Sequence, residues 1–248
     1  MKILSCLAIV FVLLLASCED TKKTSDAKDE VTKSETSSKT TSKDTSTEKK
    51  ESVFKEEKVK DTSGTNYPKI TEENMVEFLT KYGENNPETK VKITTRIGDI
   101  IIDLYEDTPL HRANFIYLVK QEYYNNTFFH RIVPNFIIQG GNSDLPSTNE
   151  KRADLAEDYL LPAEIKRNHF YGSVSGAKEY RENPDNRSAP FEFFIFLGPP
   201  SSTGHLDGSY TVFGRVSEGM DVVEEIANLP ADEGEWPKQN VYIKAEVL

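Results

Sequence analysis

From residue 91 onward the chain is written in short runs where apolar and polar positions alternate, the pattern of strands that bury one face. Val91–Thr95 and Asp99–Tyr105 flank Gly98 and predict a hairpin, with Ile100, Ile102 and Leu104 on one face and Ile101 and Asp103 on the other. Further strands are predicted at Phe128–Val133, Phe136–Gln139, Gly172–Ala177, Phe191–Leu197 and Thr211–Val216. Val241, Ile243, Ala245 and Val247 give a last strand with clean alternation. The period changes to a helical one in three places. Thr108-Pro109 opens a helix whose buried stripe is Phe115, Leu118 and Val119, proline being suited to the first helical position. Gly219–Asn228 predicts a second through Met220, Val223, Ile226 and Ala227. A third starts at Thr71, has Glu72 and Glu73 in its first turn, and carries the stripe Met75, Val76, Phe78, Leu79 and Tyr82, with Gly83 as its stop. Many short strands with two helices make 91–248 a mostly β domain, a barrel or a sandwich; the pattern leaves that choice open.

The first 66 residues follow different rules. Lys2 and the apolar run Ile3–Leu15 read as a targeting segment, too short to span a bilayer. It ends in Leu15-Ala16-Ser17-Cys18, which resembles a bacterial lipobox. That resemblance implies a signal peptide over 1–17, cleavage before Cys18 and acylation there, and so a lipid anchor in a bacterial cell envelope. Several acyl chains hold far better than one, since each buried methylene contributes about 0.8 kcal/mol. Residues 19–66 are Ser, Thr, Lys, Glu and Asp with little to bury, so 18–66 is expected to be a lipidated cysteine on a disordered tether. A coil of that length reaches roughly 40 Å. Residues 67–90 are then a helical extension ahead of the domain.

Cys6 and Cys18 are the two cysteines, so a chain cleaved before Cys18 has none for a disulfide and must rely on a packed core. The net charge is −11, and charges in the tether nearly cancel, so the acidic balance falls on the folded part. That excludes nucleic acid as a partner, which needs a basic face.

Residues 128–141, Phe-Phe-His-Arg-Ile-Val-Pro-Asn-Phe-Ile-Ile-Gln-Gly-Gly, set one cation and one amide among apolar groups. With Ile97-Gly98-Asp99-Ile100, Asn114-Phe115, Tyr123-Tyr124, Phe193-Phe194-Ile195 and Leu206–Gly214, this stretch resembles the cyclophilins, which are peptidyl-prolyl cis/trans isomerases. The likeness covers essentially all of 91–248. It implies a closed eight-stranded antiparallel β-barrel capped by two α-helices, no cofactor, and proline-containing substrates. By the same resemblance Arg131 is the catalytic arginine and Gln139 the amide that holds substrate backbone. Phe136, Ile137, Phe194 and Leu206 line a proline pocket, and Ala177 is the small residue beside which the peptide passes. Ile137 stands where many members carry methionine, a change of shape at nearly constant volume.

Three positions depart from the family pattern. Glu192 replaces a glutamine, which puts a carboxylate near the groove where it either disfavours acidic peptides or pairs with Arg131. His205 stands where eukaryotic members often have tryptophan, and Tyr210 replaces a frequent histidine while keeping a polar handle. His130 is expected to be structural, since bond rotation needs no proton transfer. His111, His169 and His205 show no metal-ligand spacing, so no metal is expected. The acidic run Asp232-Glu233-Gly234-Glu235 reads as a solvated loop, and 142–170 and 178–190 as enlarged loops that set substrate preference. The expectation is a monomeric, envelope-anchored isomerase serving exported proteins. A cyclophilin-fold peptide-binding lipoprotein with weak activity is the alternative.

Overall fold

The computed structural model describes residues 67–179 and 181–248; the expected signal peptide, the expected lipidation site Cys18 and the expected tether lie outside them. Eight strands pair antiparallel in one curled sheet: β1 (Lys90–Thr94), β2 (Asp99–Leu104), β3 (Phe128–Val133), β4 (Ile137–Asn142), β5 (Ser173–Gly176), β6 (Phe193–Phe196), β7 (Val212–Glu218) and β8 (Lys244–Val247). Their spatial order is β3-β4-β6-β5-β7-β2-β1-β8. Four helices accompany them: α1 (Met75–Asn85), α2 (Pro109–Lys120), α3 (Pro146–Leu155) and α4 (Met220–Ala227).

The expectation of a closed barrel needs correction. β3 and β8 are the ends of the sheet and no ladder joins them. Just ahead of β8 the chain meets β3 at one antiparallel bridge, Phe128 to Tyr242. There the Phe129 N–H donates to the Val241 carbonyl at 3.1 Å and the Ile243 N–H to the Thr127 carbonyl at 2.8 Å. Farther along β3 the would-be partner turns away at 231–240, and the backbone bond there is from the Ile132 N–H to the Glu235 carbonyl at 2.8 Å. Val241, Ile243 and Ala245 do point inward, as the alternation predicts. Burial pattern and ladder are separate properties, and only the first was readable.

Helix α2 buries His111 through Val119 without a break, well beyond the predicted stripe. The reason is α1, which covers its outer face. Tyr82 meets Tyr117 edge-on at 5.1 Å and Phe78 meets the same ring at 5.3 Å. Helix α1 begins at Met75, four residues past the predicted start at Thr71; in the turn between, Thr71 Oγ1 accepts the Asn74 N–H at 3.3 Å while Asn74 Oδ1 accepts the Thr71 N–H at 2.8 Å. Its stop differs as well. The helix runs past Gly83 to Asn85, and a Cβ on Gly83 would sit 3.0 Å from the Ala113 Cβ. Gly83 therefore permits close helix packing rather than ending the helix. Arg112 of α2 then caps α1, donating to the carbonyls of Gly83, Asn86 and Glu88.

The segment 142–170 is not wholly loop. It contains α3, a mostly exposed helix with only Thr148 buried, so it leaves no apolar stripe in the sequence. Lys151 anchors it by donating to the carbonyls of Glu122 and Asn125. The described residues of 178–190 form no helix or strand, only an isolated bridge from Ser188 to Leu161.

Candidate active site

One line of register crosses four strands and assembles the site. Arg131 on β3 pairs with Gln139 on β4, Gln139 with Phe194 on β6, and Phe194 with Ser175 on β5. Adjacent strands are about 4.8 Å apart, so the cation and the far side of the row are separated by roughly 15 Å, room for a short peptide. Beside the row, Ile137, Ala177, Phe194, Phe196 and Leu206 form an apolar cluster distinct from the main core, flanked by Val133, Phe136 and Tyr210. Six of the predicted groove residues are thus brought together; Phe196 and Val133 were not foreseen.

Local structure explains the placement. The turn after β3 carries Asn135 at φ 58° and returns the chain so that Phe136 stands over Phe196, ring centroids 6.1 Å apart. Its carbonyl accepts the Leu197 N–H at 2.7 Å, which fixes the turn to β6. Phe194 stacks on His169 at 5.8 Å and meets Tyr210 edge-on at 5.6 Å. His169 supports the floor of the groove. Its backbone N–H and Nδ1 both lie within hydrogen-bond distance of Asp207 Oδ1, at 2.7 and 2.9 Å, and its Nε2 is 3.1 Å from Ser175 Oγ. Burial lowers the His169 pKa, and Asp207 offsets part of that shift. Asp207 follows Leu206, so one contact orients both the floor and the rim. His205 is exposed at the mouth, its ring 5.5 Å from that of Phe136.

Glu192 does not pair with Arg131. Its side chain is only 19% exposed and is turned inward. Gln139 Nε2 donates to Oε2 and Asn142 Nδ2 to Oε1, each at 2.9 Å, and His130 Nε2 and Arg152 Nη2 lie 3.5 Å away. Burial works to raise its pKa, but the His130 and Gln139 contacts and the charge of Arg152 outweigh that and hold it below the ordinary range. The Gln139 Nε2 is drawn inward by this bond, which turns the amide oxygen to the other side. His130 is a structural neighbour of this carboxylate, as expected. Gly141 makes the approach possible: it lies at φ 99°, and a Cβ there would stand 2.2 Å from the Phe191 carbonyl oxygen.

Arg131 is paired instead with Glu235. Its Nε donates to Oε2 at 2.6 Å, with the two side chains 37% and 42% exposed. Glu235 belongs to the acidic run read as a solvated loop. Nothing local in the sequence marks it, because its partner is 104 residues away. Asn142 and Arg152 were missed for the same reason. Metal-ligand reasoning about the histidines is replaced by a simpler one: His111 sits 2.7 Å from Glu164 Oε2 and 2.9 Å from Ser188 Oγ, and His169 has the partners given above.

The sequence matches the model of the cyclophilin type peptidyl-prolyl cis-trans isomerase family over residues 90–247. A peptidyl-prolyl cis-trans isomerase of Acinetobacter baylyi is 39% identical over 145 residues, 57% of this chain and 73% of that protein. The isomerase ppi1 of Schizosaccharomyces pombe is 33% identical over 160 residues, 64% of this chain and 98% of its own. Among solved structures, a cyclophilin type isomerase of Cryptosporidium parvum, crystallised in the presence of the dipeptide Ala-Pro, is 28% identical with a TM-score of 0.52, covering 64% of this chain and 98% of that one. The fold and groove described above are those of a cyclophilin-type isomerase, and the chain belongs to that family. It is a peptidyl-prolyl cis/trans isomerase. Helix α1 lies ahead of the matched range.

Proposed function

We propose that the enzyme turns X-Pro bonds by aiming the Arg131 guanidinium at the prolyl nitrogen while the ring sits in the apolar cluster. The barrier to rotation is about 18–20 kcal/mol because resonance stiffens the C–N bond. Rotation out of plane breaks that resonance, and the nitrogen becomes pyramidal with a lone pair that accepts a hydrogen bond. A donor fixed where this lone pair develops favours the twisted state over either planar one. No bond is cleaved and no proton need be transferred. Removing about 7 kcal/mol from the barrier corresponds to roughly 10⁵-fold acceleration. Phe136, Ile137, Phe194 and Leu206 hold the ring, with His205 and Tyr210 at the rim. The oxygen of Gln139 accepts a backbone N–H of the peptide, and Ala177 leaves room for the chain to pass.

The observation that carries this reading is the single row Arg131–Gln139–Phe194, with the socket beside it. The Ala-Pro dipeptide used with the Cryptosporidium relative supports proline peptides as the substrate class. A protease-coupled assay on an Ala-Pro peptide tests the mechanism. Arg131→Ala is expected to lose about 10²–10³-fold in kcat/KM, the scale of removing one donor from a developing charge. An unchanged rate removes Arg131 from the mechanism.

In the cell we assign the enzyme to X-Pro bonds of unfolded exported proteins, where isomerisation is slow enough to limit folding. The support is the lipobox-like Leu15-Ala16-Ser17-Cys18. Cys18→Ser is expected to move the protein from the membrane fraction to the soluble one; unchanged fractionation counts against the anchor.

A further inference from the structure

We propose that Glu235 is a positioning residue, held on the turn at 231–237 so that it presents the Arg131 guanidinium to the groove. This rests on the reading of Arg131 as the donor to the prolyl nitrogen.

The turn is built to hold one residue in place. Ala231 and Pro237 form an antiparallel bridge across its base. Asp232 Oδ1 accepts the N–H groups of Gly234 at 2.8 Å and Trp236 at 2.9 Å, and the Asp232 carbonyl accepts the Glu235 N–H at 3.1 Å. Between these bonds Glu235 is driven to φ 65°, a left-handed conformation that L side chains disfavour. A residue without Cβ would sit there at ease, yet the position carries glutamate. Strain of this kind persists where the surroundings over-determine it, and it gathers at functional sites.

Glu235 grips β3 twice on consecutive residues. Its carbonyl accepts the Ile132 N–H at 2.8 Å and its carboxylate accepts Arg131 Nε at 2.6 Å. Because the carboxylate takes Nε, the terminal nitrogens are left over, and among the described residues they make no hydrogen bond. A guanidinium has five N–H donors in a fixed plane, so one held at Nε still offers four. An arginine side chain is otherwise among the most mobile, with many rotamers open to it. Fixing the plane from the stem side keeps the tip aimed and free.

An ordinary half-exposed ion pair contributes little to stability and nothing to a rate, which sets the terms of the test. The intact protein is assayed as wild type, Glu235→Ala, Glu235→Gln, Arg131→Ala and Arg131→Ala/Glu235→Ala. kcat/KM is taken from the protease-coupled assay, peptide affinity from titration, and folding from Tm. Glu235→Ala is expected to lower kcat/KM 5–10-fold with peptide affinity and Tm unchanged. Glu235→Gln keeps an acceptor oxygen for Nε and is expected to recover at least half of the loss. In the Arg131→Ala background the alanine at 235 is expected to change nothing further. Glu235→Ala at or above the wild-type rate overturns the proposal, as does an equal loss in both backgrounds, which would mean action by another route. If Arg131→Ala itself runs at the wild-type rate, the mechanism fails, a result separate from failure at Glu235.

Discussion

Two carboxylates flank the row Arg131–Gln139–Phe194, and they are held in opposite ways. Glu192 is inside the sheet, with two amide donors, the His130 ring and the Arg152 guanidinium around it. Glu235 is outside the sheet on a turn, with one side-chain partner and nearly half of its surface in water. Desolvation makes the difference. An inward charge must be compensated by every neighbour it has, so its removal strands several groups at once. An outward charge is already solvated, so its removal costs folding almost nothing and its worth lies in where it holds its partner. The two acids teach that burial indicates which residue stabilises the groove, not which one tunes it.

The comparison breaks first at Glu192. Replacing it by alanine leaves His130, Arg152 and the amides of Gln139 and Asn142 without their common acceptor, and about 3 kcal/mol of stability is expected to disappear. For a domain of this size that is roughly 10 °C in Tm, measurable by thermal or urea unfolding. A loss as small as that of a surface residue would mean that the network is not cohesive.

Glu192→Gln sharpens the contrast through pH. The folded-state pKa of Glu192 is depressed, so its contribution is complete above the unfolded value of about 4.5 and fades as pH falls through the lower folded value. Wild type is therefore expected to lose stability below that point faster than Glu192→Gln does. Parallel acid profiles would assign the acid sensitivity elsewhere. His169 adds to the wild-type slope at higher pH: its pKa is lowered by burial, so its protonation below about 6.5 opposes folding in both proteins.

The smallest effect is expected at Glu235, and in the reverse direction. Glu235→Gly relieves a left-handed glutamate and is expected to gain up to about 1 kcal/mol, less the entropy of a freer unfolded chain. A protein that becomes slightly more stable and slower together would separate strain from function. A lower Tm would show that the carboxylate matters to folding after all.

Much of this arrangement could be read along the chain. Strands such as Asp99–Leu104 were legible because alternation reports burial directly, and the aromatic socket was legible because its residues sit in a motif. Helix α3 was not, since an exposed helix has no apolar period and only Pro146 marks its start. Glu235 and Arg152 act across folded distance, so no window of sequence contains both partners. Gly83 was misread because one residue serves two ends: a helix stop and a close helix contact both call for a missing Cβ. The closed barrel was implied by the family resemblance alone; the inward alternation through 241–247 says nothing about which strand its outer hydrogen bonds reach.

The unfinished seam also leaves few free donors on the outer side of β3. Strand β3 terminates the sheet, and a bare terminal strand is a template on which an extended chain can add by main-chain pairing. Here the N–H groups of Phe129 and Ile132 are already engaged by Val241 and Glu235. An extended chain that reaches this border finds those two donors already taken.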